Sequence, residues 1–480
     1  MALSDSRWQR TLTLCALYVA QGVPWGFMLL TLPNYLIDEY GLSTTAAGYM
    51  TAWILVPWSF KLIWAPLMDT YTIRSMGRRR PWIIGAELMM AVTLLGFVGM
   101  GNPSQNLQLI VVMYVLHNCF ASLQDVCTDA LAVDVLPVTE YGQMNGLMWG
   151  SKLVGKGIGA WGLSLVIEWG GLEACVAVQI AILLGIMIIP LLILERPGEK
   201  RFPWSAGRVS SIETDVCPMC GAGVGPSATA CDACGEVFAG PQPPAENVRK
   251  PSEVLAAYLK AFSVATLLIF VAFTVSKLIG IGVYEIVRKT LYIKHLGWTH
   301  YELTTATGAY ATIPIILGAI VGGILADRFG RRLILCVGFG GFGLVAMIFA
   351  ACPELWGELW FSMSFLLLSE TLNAVASVGF LSMAMRISWT KSAAIVFTTY
   401  MTLSNVSHVI GNAIAGWVQE SFEFPDVYGG SATMASYEFT FWFIGVITLL
   451  PLALLPFVRV EQVDRAREAE GSLRADETPA

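Results

Sequence analysis

The sequence predicts an all-α membrane protein with twelve transmembrane helices in two pseudo-symmetric six-helix bundles. Three observations lead to this fold class: the composition, the spacing of apolar segments and a charged motif that occurs twice. The chain of 480 residues is 55% hydrophobic and only 13% charged, with a mean hydropathy of +0.63. Soluble domains carry about 25% charged residues. Much of the surface is therefore expected to face lipid.

The apolar segments fall into two sets of six around a polar stretch. A helix needs about 20 apolar residues to cross a bilayer. The segments lie at residues 11–37, 46–68, 82–101, 107–136, 142–167, 172–194, 259–292, 303–326, 333–352, 358–386, 393–419 and 437–458. They predict a bundle at 1–195, a cytosolic loop at 196–258, a second bundle at 259–460 and a disordered cytosolic tail at 461–480.

The orientation is predicted from lysine and arginine residues near the span ends. Arginines cluster in the loops at residues 74–80, 328–332 and 459–467, whereas the alternate loops are mostly acidic. Both termini and the middle loop are therefore assigned to the cytosol of a multi-pass membrane protein. The short loops and the lack of a signal-peptide pattern suit a bacterial inner membrane.

A charged motif follows the second and eighth spans. Each copy has an aspartate at the end of a span, followed by glycine and arginines. An aspartate and basic groups at helix ends can pair with the other bundle and hold one side shut. The alternative, arginines present only to orient the loops, does not explain the repeated order. The predicted latch residues are Asp69, Arg78, Arg79, Asp327, Arg328, Arg331 and Arg332.

This motif resembles the signature loop of the major facilitator superfamily. The second copy matches closely, and the first is an extended variant. The segments Gln21–Gly26, Phe60–Asp69 and Gln124–Asp134 further resemble the branch of muropeptide permeases and acetyl-coenzyme A transporters. The resemblance is specific in the first half, whereas in the second half only the signature loop matches. It implies a membrane carrier for anionic solutes, in which the fourth span matters for transport.

Charged residues inside predicted spans are the first functional candidates. A charge at the bilayer centre costs at least about 2.5–3.5 kcal/mol on insertion scales. Asp125 and Asp129 are one turn apart on the fourth span and share a helix face. We expect both to face a central cavity and at least one to exchange a proton. The alternative is a structural ion pair, for instance with Lys152.

Basic and polar side chains in other spans predict a site for an anionic substrate. The alternative for Lys277 and Arg386 is ion pairing with Glu285 and Glu370, and for His408 it is a satisfied buried histidine. Gln21 lies in a first span that Pro24 is expected to bend. The predicted substrate-binding residues are Gln21, Lys152, Lys156, Lys277, Arg386, His408 and Asn412.

The loop between the halves carries two Cys-x₂-Cys pairs, Cys217 with Cys220 and Cys231 with Cys234, separated by ten residues. Four thiolates form the closed tetrahedral site of structural Zn²⁺. Disulfides and a redox pair are the alternatives, and a cytosolic location disfavours disulfides. Residues 213–238 therefore predict a small zinc-ribbon-like module whose folding needs the metal. It would fix the halves together, dock a cytosolic protein partner, or sense zinc or redox state.

Together these patterns predict a secondary active transporter working by alternating access, with a small-molecule substrate, a proton and the lipid bilayer as partners. The sequence has no polybasic run for nucleic acid and no nucleophilic or catalytic-metal constellation. We therefore expect no enzymatic activity. The rival interpretation is a membrane scaffold or sensor that acts through the zinc module. The charges inside the spans argue against it, because a scaffold gains nothing from their insertion cost.

Overall fold

The protein is described from a computed structural model. The structure describes residues 2–3, 6–64, 67–68, 71, 73–136, 140–197, 199–205, 215–216, 223–224, 230–231, 265–388, 393–422 and 432–459.

The described part before residue 206 is helical. Its α-helices are α1 Arg7–Gly26, α2 Leu32–Tyr40, α3 Thr44–Leu55, α4 Arg80–Leu94, α5 Leu107–Val135, α6 Tyr141–Gly157 and α7 Leu163–Leu192. Shorter π or 3₁₀ turns connect or extend them at Phe27–Thr31, Val56–Ile63, Arg74–Met76, Leu95–Phe97 and Ile158–Gly162.

The loop between the halves contributes two short antiparallel strands, β1 Asp215–Val216 and β2 Gly223–Val224. The remaining α-helices are α8 Ala265–Ser276, α9 Ile279–Thr290, α10 His300–Thr305, α11 Thr312–Phe329, α12 Arg331–Leu335, α13 Gly341–Ala351, α14 Leu359–Ile387, α15 Ala393–Ser421 and α16 Ala432–Leu449. Further π or 3₁₀ turns lie at Leu291–His295, Ala306–Tyr310, Cys336–Gly340, Pro353–Leu355 and Leu450–Phe457.

Nine helical segments within the described residues are long and apolar enough to cross a membrane: Arg7–Tyr40, Arg80–Phe97, Leu107–Ala132, Gly146–Leu192, Ala265–His295, His300–Ala326, Arg331–Ala351, Leu359–Ile387 and Met434–Phe457. The segment Gly146–Leu192 includes parts of two predicted spans, and Gly171 at φ 65° breaks the helix between them. The predicted spans at 46–68 and 393–419 are not among the nine. The total of twelve spans stays a prediction.

The chain divides into two compact units. The first contains Met1–Thr31 and Phe60–Val248, and the second contains Leu32–Ser59 and Arg249–Ala480. One of the boundaries between the units, at Thr31 and Leu32, therefore lies inside the first helical segment. The domain limits predicted from the sequence stay a prediction.

In the first unit, α1 and α6 approach each other at glycines. A methyl group at Gly22 would overlap the backbone of Lys152, and one at Gly159 would overlap the backbone of Val23. Small residues allow this close helix contact in a membrane. Beyond this contact, Thr31 donates from its hydroxyl to the carbonyls of Gly159 and Ala160 at 3.0 and 2.8 Å. The contact therefore fixes the position of Lys152 and Lys156 on α6 along the axis of α1.

The second unit has a core rich in aromatic rings. The rings of Phe349 and Phe365 stack with centroids 3.9 Å apart, and Phe441 packs against both at 4.9 and 5.6 Å. Offset and edge-to-face ring pairs add to the free energy gained by burying their area. Tyr284 joins this cluster from α9 at 5.8 Å from Phe365. The cluster therefore anchors α9, which carries Glu285 and Arg288.

Candidate functional site

The first unit contains a buried cluster of opposite charges around Asp125. The Asp125 carboxylate on α5 lies 3.3 Å from the ammonium of Lys61 and 3.3 Å from that of Lys152 on α6. Asp125 is 5% exposed and Lys152 is 8% exposed. A carboxylate held by two cations leaves an excess of positive charge. The alternative considered from the sequence, an ion pair between Asp125 and Lys152, is therefore present.

Asp129 has a different environment from Asp125. Its side chain accepts a 2.5 Å hydrogen bond from the Tyr18 hydroxyl of α1, and the residue is exposed. Asp129 forms no ion pair among the described residues. The two aspartates thus have different environments: Asp125 is neutralised by lysines, whereas Asp129 has exposed surface and is oriented by a tyrosine.

Aromatic rings surround the α6 lysines. The Lys152 ammonium lies 5.6 Å from the Tyr18 ring centre, 5.8 Å from that of Trp25 and 5.6 Å from that of Trp149. The Lys156 ammonium lies 5.3 Å from the Trp25 ring centre. Cations at such distances are attracted to the ring face. We call Tyr18, Lys61, Asp125, Asp129, Lys152 and Lys156 the Asp125 cluster.

A chain of buried polar side chains lies beside this cluster. Gln21 donates to the Gln124 side-chain carbonyl at 2.6 Å, and Gln124 donates to Glu87 at 2.9 Å. Gln21 and Gln124 are 2% and 0% exposed, respectively. Buried polar groups of this kind orient one another because each needs a hydrogen-bond partner. Gln21 is thus tied to α5 one turn from Tyr18.

Glu285 and Glu370 in the second unit have basic partners that the sequence analysis did not name for them. Glu285 on α9 contacts the His408 ring of α15 at 2.9 Å. Glu370 on α14 accepts a 2.6 Å charge-assisted hydrogen bond from Arg288. The partners that the structure shows for these two carboxylates are thus Arg288 and His408, whereas the alternative considered from the sequence paired them with Lys277 and Arg386.

Lys277 follows α8 at a break before α9. It is 3% exposed, and its ammonium lies 3.8 Å from the Phe380 ring centre and 5.5 Å from that of Phe339. It forms no ion pair among the described residues. Discontinuous helices in transporters mark binding sites. A buried lysine that faces aromatic rings at such a break remains available to an anion.

The other predicted substrate residues of this unit are separated along their helices. Arg386 is partly buried near the end of α14. Asn412 on α15 is fully buried, and neither its side-chain nitrogen nor its oxygen has a hydrogen-bond partner within the described part of the chain. An unsatisfied buried amide costs about 1–3 kcal/mol. Asn412 therefore keeps a capacity for hydrogen bonding.

The arginines of the first motif copy are held within their own unit. Arg79 donates to Asp134 at 2.9 Å. The Glu195 carboxylate accepts backbone N–H groups of Arg78 at 2.8 Å and Arg79 at 2.7 Å, and also that of Arg80. It thereby satisfies the free amides where α4 begins. Asp69 lies outside the described residues.

Arg80 joins the loop before α4 to the segment after α7. Its guanidinium donates to five backbone carbonyls, and the residue is 1% exposed. The acceptors are Met76 at 3.2 Å, Pro190 at 2.5 Å, Leu191 at 3.0 Å, Lys200 at 2.9 Å and Arg201 at 3.0 Å. The start of the loop that carries the cysteines is therefore fixed to the end of the helical bundle.

Glu199 stabilises the same junction between the loop before α4 and the segment after α7. Its carboxylate accepts the N–H groups of Glu195 at 3.1 Å and Arg196 at 3.2 Å. Burial, and next the neighbouring Glu195 carboxylate, raise the pKa of Glu199 to about 7. Burial also raises the pKa of Glu195. The junction thus holds two adjacent carboxyl groups that resist simultaneous ionisation.

The second motif copy is described in part. Arg332 donates to the Val458 carbonyl at 2.6 Å, and the Arg328 guanidinium lies 5.5 Å from the Phe329 ring centre. Arg331 is partly buried. The side chain of Asp327 lies outside the described residues. The latch therefore stays a prediction for both copies.

The cysteine module is also described in part. Strands β1 and β2 pair Asp215 with Val224 and Val216 with Gly223, so they bracket the first cysteine pair. Cys231 is buried. Cys217, Cys220 and Cys234 lie outside the described residues, and the predicted zinc site stays a prediction.

The fold and the buried charges define a class, the polytopic membrane transporters. The chain matches the sequence profile of the Major Facilitator Superfamily over residues 14–411 and again over 265–478, and it belongs to that family. The family assignment identifies an integral multi-pass transporter and not an enzyme. The resemblance noted from the sequence motifs is thereby confirmed at the level of the superfamily.

Two curated relatives are informative. The chain is 23% identical to the anhydromuropeptide permease of Escherichia coli (strain K12) over 486 residues, which cover 98% of this chain and 84% of the permease. It is 27% identical to the folate-biopterin transporter of Synechocystis sp. over 161 residues, which cover 33% of this chain and 32% of that transporter. The first similarity extends over nearly the whole chain.

Solved structures share the fold. Two structures of the nucleoside transporter NupG, one of them a mutant, match with TM-scores of 0.63 and 0.62 at 12% identity, covering 94% of this chain and 99% and 98% of those chains. The D-xylose-proton symporter matches with a TM-score of 0.65 at 11% identity, covering 93% and 97%. At these identities the likeness shows the fold alone.

Sequence reasoning missed several members of the site. Lys61, Tyr18 and Gln124 were given no site role, yet each contacts a predicted site residue, and Glu87 joins them through Gln124. The signal available for Tyr18 was its spacing of three residues from Gln21 on one helix face. No sequence signal joins Lys61 to Asp125, because their contact depends on how the helices pack.

Proposed function

We propose that this secondary transporter moves a small organic anion across the membrane by alternating access, coupled to protons. The carrying observation is the charge balance of the Asp125 cluster, in which Lys61 and Lys152 both pair with Asp125 and Lys156 lies against the Trp25 ring, so that three lysines accompany two aspartates. An anionic group offsets the excess, and Lys156, which forms no ion pair within the described part of the chain, is its proposed partner. Lys277 in the second unit supplies a further buried cation.

The whole-chain similarity to an anhydromuropeptide permease supports a muropeptide-like anion as the first substrate to test. The rings of Trp25 and Trp149 support the same class, since a sugar or other ring packs on an aromatic face. Acyl-coenzyme A is the second anion to test. Arg386, His408 and Asn412 complete the proposed set of substrate-binding residues, with Gln21 in the first unit.

Asp129 is the proposed proton carrier. It is exposed, and Tyr18 orients it, so it exchanges a proton with water without breaking an ion pair. Asp125, held by Lys61 and Lys152, is proposed to release a lysine when the anion binds. The coupling thus rests on two carboxylates one helical turn apart that have different partners.

The test is uptake by proteoliposomes under an imposed proton gradient. Labelled muropeptide and acyl-coenzyme A are compared with a nucleoside as the neutral control. Asp129→Asn is expected to abolish accumulation, and Lys156→Gln to weaken uptake of the anion, whereas Lys200→Gln outside the spans leaves both unchanged. Wild-type accumulation in Asp129→Asn and Asp125→Asn would contradict proton coupling.

We also propose that residues 213–238 bind one structural Zn²⁺ through Cys217, Cys220, Cys231 and Cys234. The spacing and the strand pair around the first cysteines support a closed thiolate site. Metal content of the purified full chain, measured by mass spectrometry, should fall by one zinc in the Cys217→Ser, Cys220→Ser variant and not in Cys352→Ser. Equal zinc in all three would contradict the site.

A further inference from the structure

A group of three potential metal ligands lies in the second unit and shares no residue with the Asp125 cluster. Asp38 and Glu39 at the end of α2 and His300 at the start of α10 place one ligand atom each within 4.8 Å of one another. The two carboxylates reach solvent, whereas His300 is 4% exposed. The group therefore has a buried side and an open side.

The two segments that supply these ligands are joined independently of any ion. The His300 backbone N–H donates to Asp38 at 2.7 Å, and Asn34 donates to the Thr304 hydroxyl at 2.8 Å. Lys294 donates to the Gly41 carbonyl at 2.9 Å. The ring of Tyr35 packs edge-on against the His300 ring at 5.4 Å. These contacts fix the ligands in place before a metal arrives.

The local charge favours a cation. Within the described residues, neither Asp38 nor Glu39 forms an ion pair. Both lie in the last turn of α2, where the helix dipole is negative and acidic side chains are unfavourable. The N–H of His300 compensates Asp38, but no residue in the described part of the chain donates to Glu39. A bound divalent ion would relieve the repulsion between two carboxylates and a helix end.

We propose that Asp38, Glu39 and His300 form a binding site for a divalent transition-metal ion such as Zn²⁺. One imidazole and two carboxylates are the mixed nitrogen and oxygen set that Zn²⁺ accepts, with a coordination position left for water. The imidazole selects Zn²⁺ over Mg²⁺ and Ca²⁺, which prefer oxygen ligands only. The ion fastens α2 to α10.

The consequence for transport rests on the proposed function. An ion that bridges α2 and α10 resists any change in their separation, so it slows a carrier whose cycle moves the first span against the eighth. Zn²⁺ added on the side of the membrane where this group lies should therefore inhibit uptake, and removal by a chelator should restore it.

Binding is tested first, without transport. Zn²⁺ is titrated into the full chain in detergent, with the melting temperature as readout, in a Cys217→Ser, Cys220→Ser background that removes the cysteine module. Zn²⁺ should raise the melting temperature, and Mg²⁺ should not. Glu39→Gln and His300→Gln should raise the Zn²⁺ concentration at the titration midpoint roughly tenfold or more. His295→Gln, which changes a nearby exposed histidine, should leave that concentration unchanged.

Unchanged Zn²⁺ midpoints in both Glu39→Gln and His300→Gln, or no Zn²⁺ shift in the parent chain, would overturn the site. Glu39 is exposed, so its variant is expected to fold even where the His300 variant does not. Uptake is then measured with and without Zn²⁺. Binding without inhibition would reject the bridging effect, and absence of any uptake would reject the proposed function while leaving the metal site standing.

Discussion

Lys152 and Asp125 form an ion pair in which the two side chains are only 10% and 6% exposed. Lys61 approaches the same carboxylate from the other side. Removing one member of a buried pair leaves an uncompensated charge and costs about 3–5 kcal/mol. Asp125→Asn should therefore lower the free energy of unfolding by about 3 kcal/mol, because two lysines lose their shared partner.

A double variant that combines Asp125→Asn with Lys152→Met measures the coupling energy between these two side chains. Lys152→Met should cost less than Asp125→Asn, since Lys61 still neutralises the aspartate. The combination should be less destabilised than the sum of the single changes, with a coupling of about 0.5–3 kcal/mol. Denaturation in detergent gives the free energy of unfolding of the two single variants and of the double variant. Additive effects would mean that the two side chains do not interact.

Tyr18 offers a test of how Asp129 is oriented. Tyr18→Phe removes the hydroxyl that donates to Asp129 and keeps the ring near Lys152. A hydrogen bond to a charged group contributes about 1.5–3 kcal/mol, so proton-driven uptake should fall roughly tenfold or more. Tyr71→Phe, at an exposed tyrosine, is the matched control. An unaltered uptake rate in Tyr18→Phe would remove Tyr18 from the site.

Glu199 predicts a dependence of stability on pH. Its pKa in the folded chain is about 7, above its ordinary 4.5, so the folded state binds the proton more tightly than the unfolded state. Stability is then highest below about pH 4.5 and falls as the pH rises to about 7. Melting temperatures between pH 5 and 8 should show this decline, and Glu199→Gln should flatten it. A decline of equal slope in the variant would assign it to other groups.

Arg80 tests the junction between the bundle and the cysteine-bearing loop. Arg80→Met leaves five carbonyls without their donor, so we expect a loss of at least about 1–3 kcal/mol. The matched change is Arg78→Met, because the Arg78 side chain is exposed. Limited proteolysis after Phe202 should accelerate only in the Arg80 variant. Similar proteolysis of both variants would mean that Arg80 does not hold the loop.

The variant Lys277→Met shows whether Lys277 binds substrate or only stabilises the fold. It has no ion-pair partner in the described part of the chain, so Lys277→Met should leave the melting temperature unchanged or higher, since a buried charge is removed. Anion uptake should nevertheless fall at least tenfold if the ammonium binds substrate. A destabilised variant with normal uptake per folded molecule would assign Lys277 to structure.

The fold class followed from composition and periodicity because lipid imposes a simple rule. Every backbone polar group inside a bilayer must be satisfied within the chain, so apolar segments such as 107–136 and 358–386 could only be helices. The family also followed, since the motif around Asp327 and Arg331 is contiguous in sequence. Asp125 and Asp129 were recognised as candidates because charges are costly in lipid.

The ion-pair partners of the charged residues could not be predicted from composition and motif order. The alternative considered from the sequence paired Glu285 and Glu370 with Lys277 and Arg386, whereas the structure shows His408 and Arg288 as their partners. Several ion-pairing schemes satisfy the same composition, and the choice depends on helix rotation and on which small residues allow contact. The division of the chain inside its first helical segment likewise has no local sequence signal.

The sequence by itself determined that this chain is a helical membrane carrier and which of its charges needed an explanation, since hydrophobicity and motif order are properties of contiguous residues. The tertiary structure alone decided that Tyr18 holds Asp129, that Lys61 shares Asp125 and that Asp38, Glu39 and His300 come together. Such contacts join residues far apart along the chain, and only the packing of helices at glycines and aromatic rings brings them within hydrogen-bonding distance.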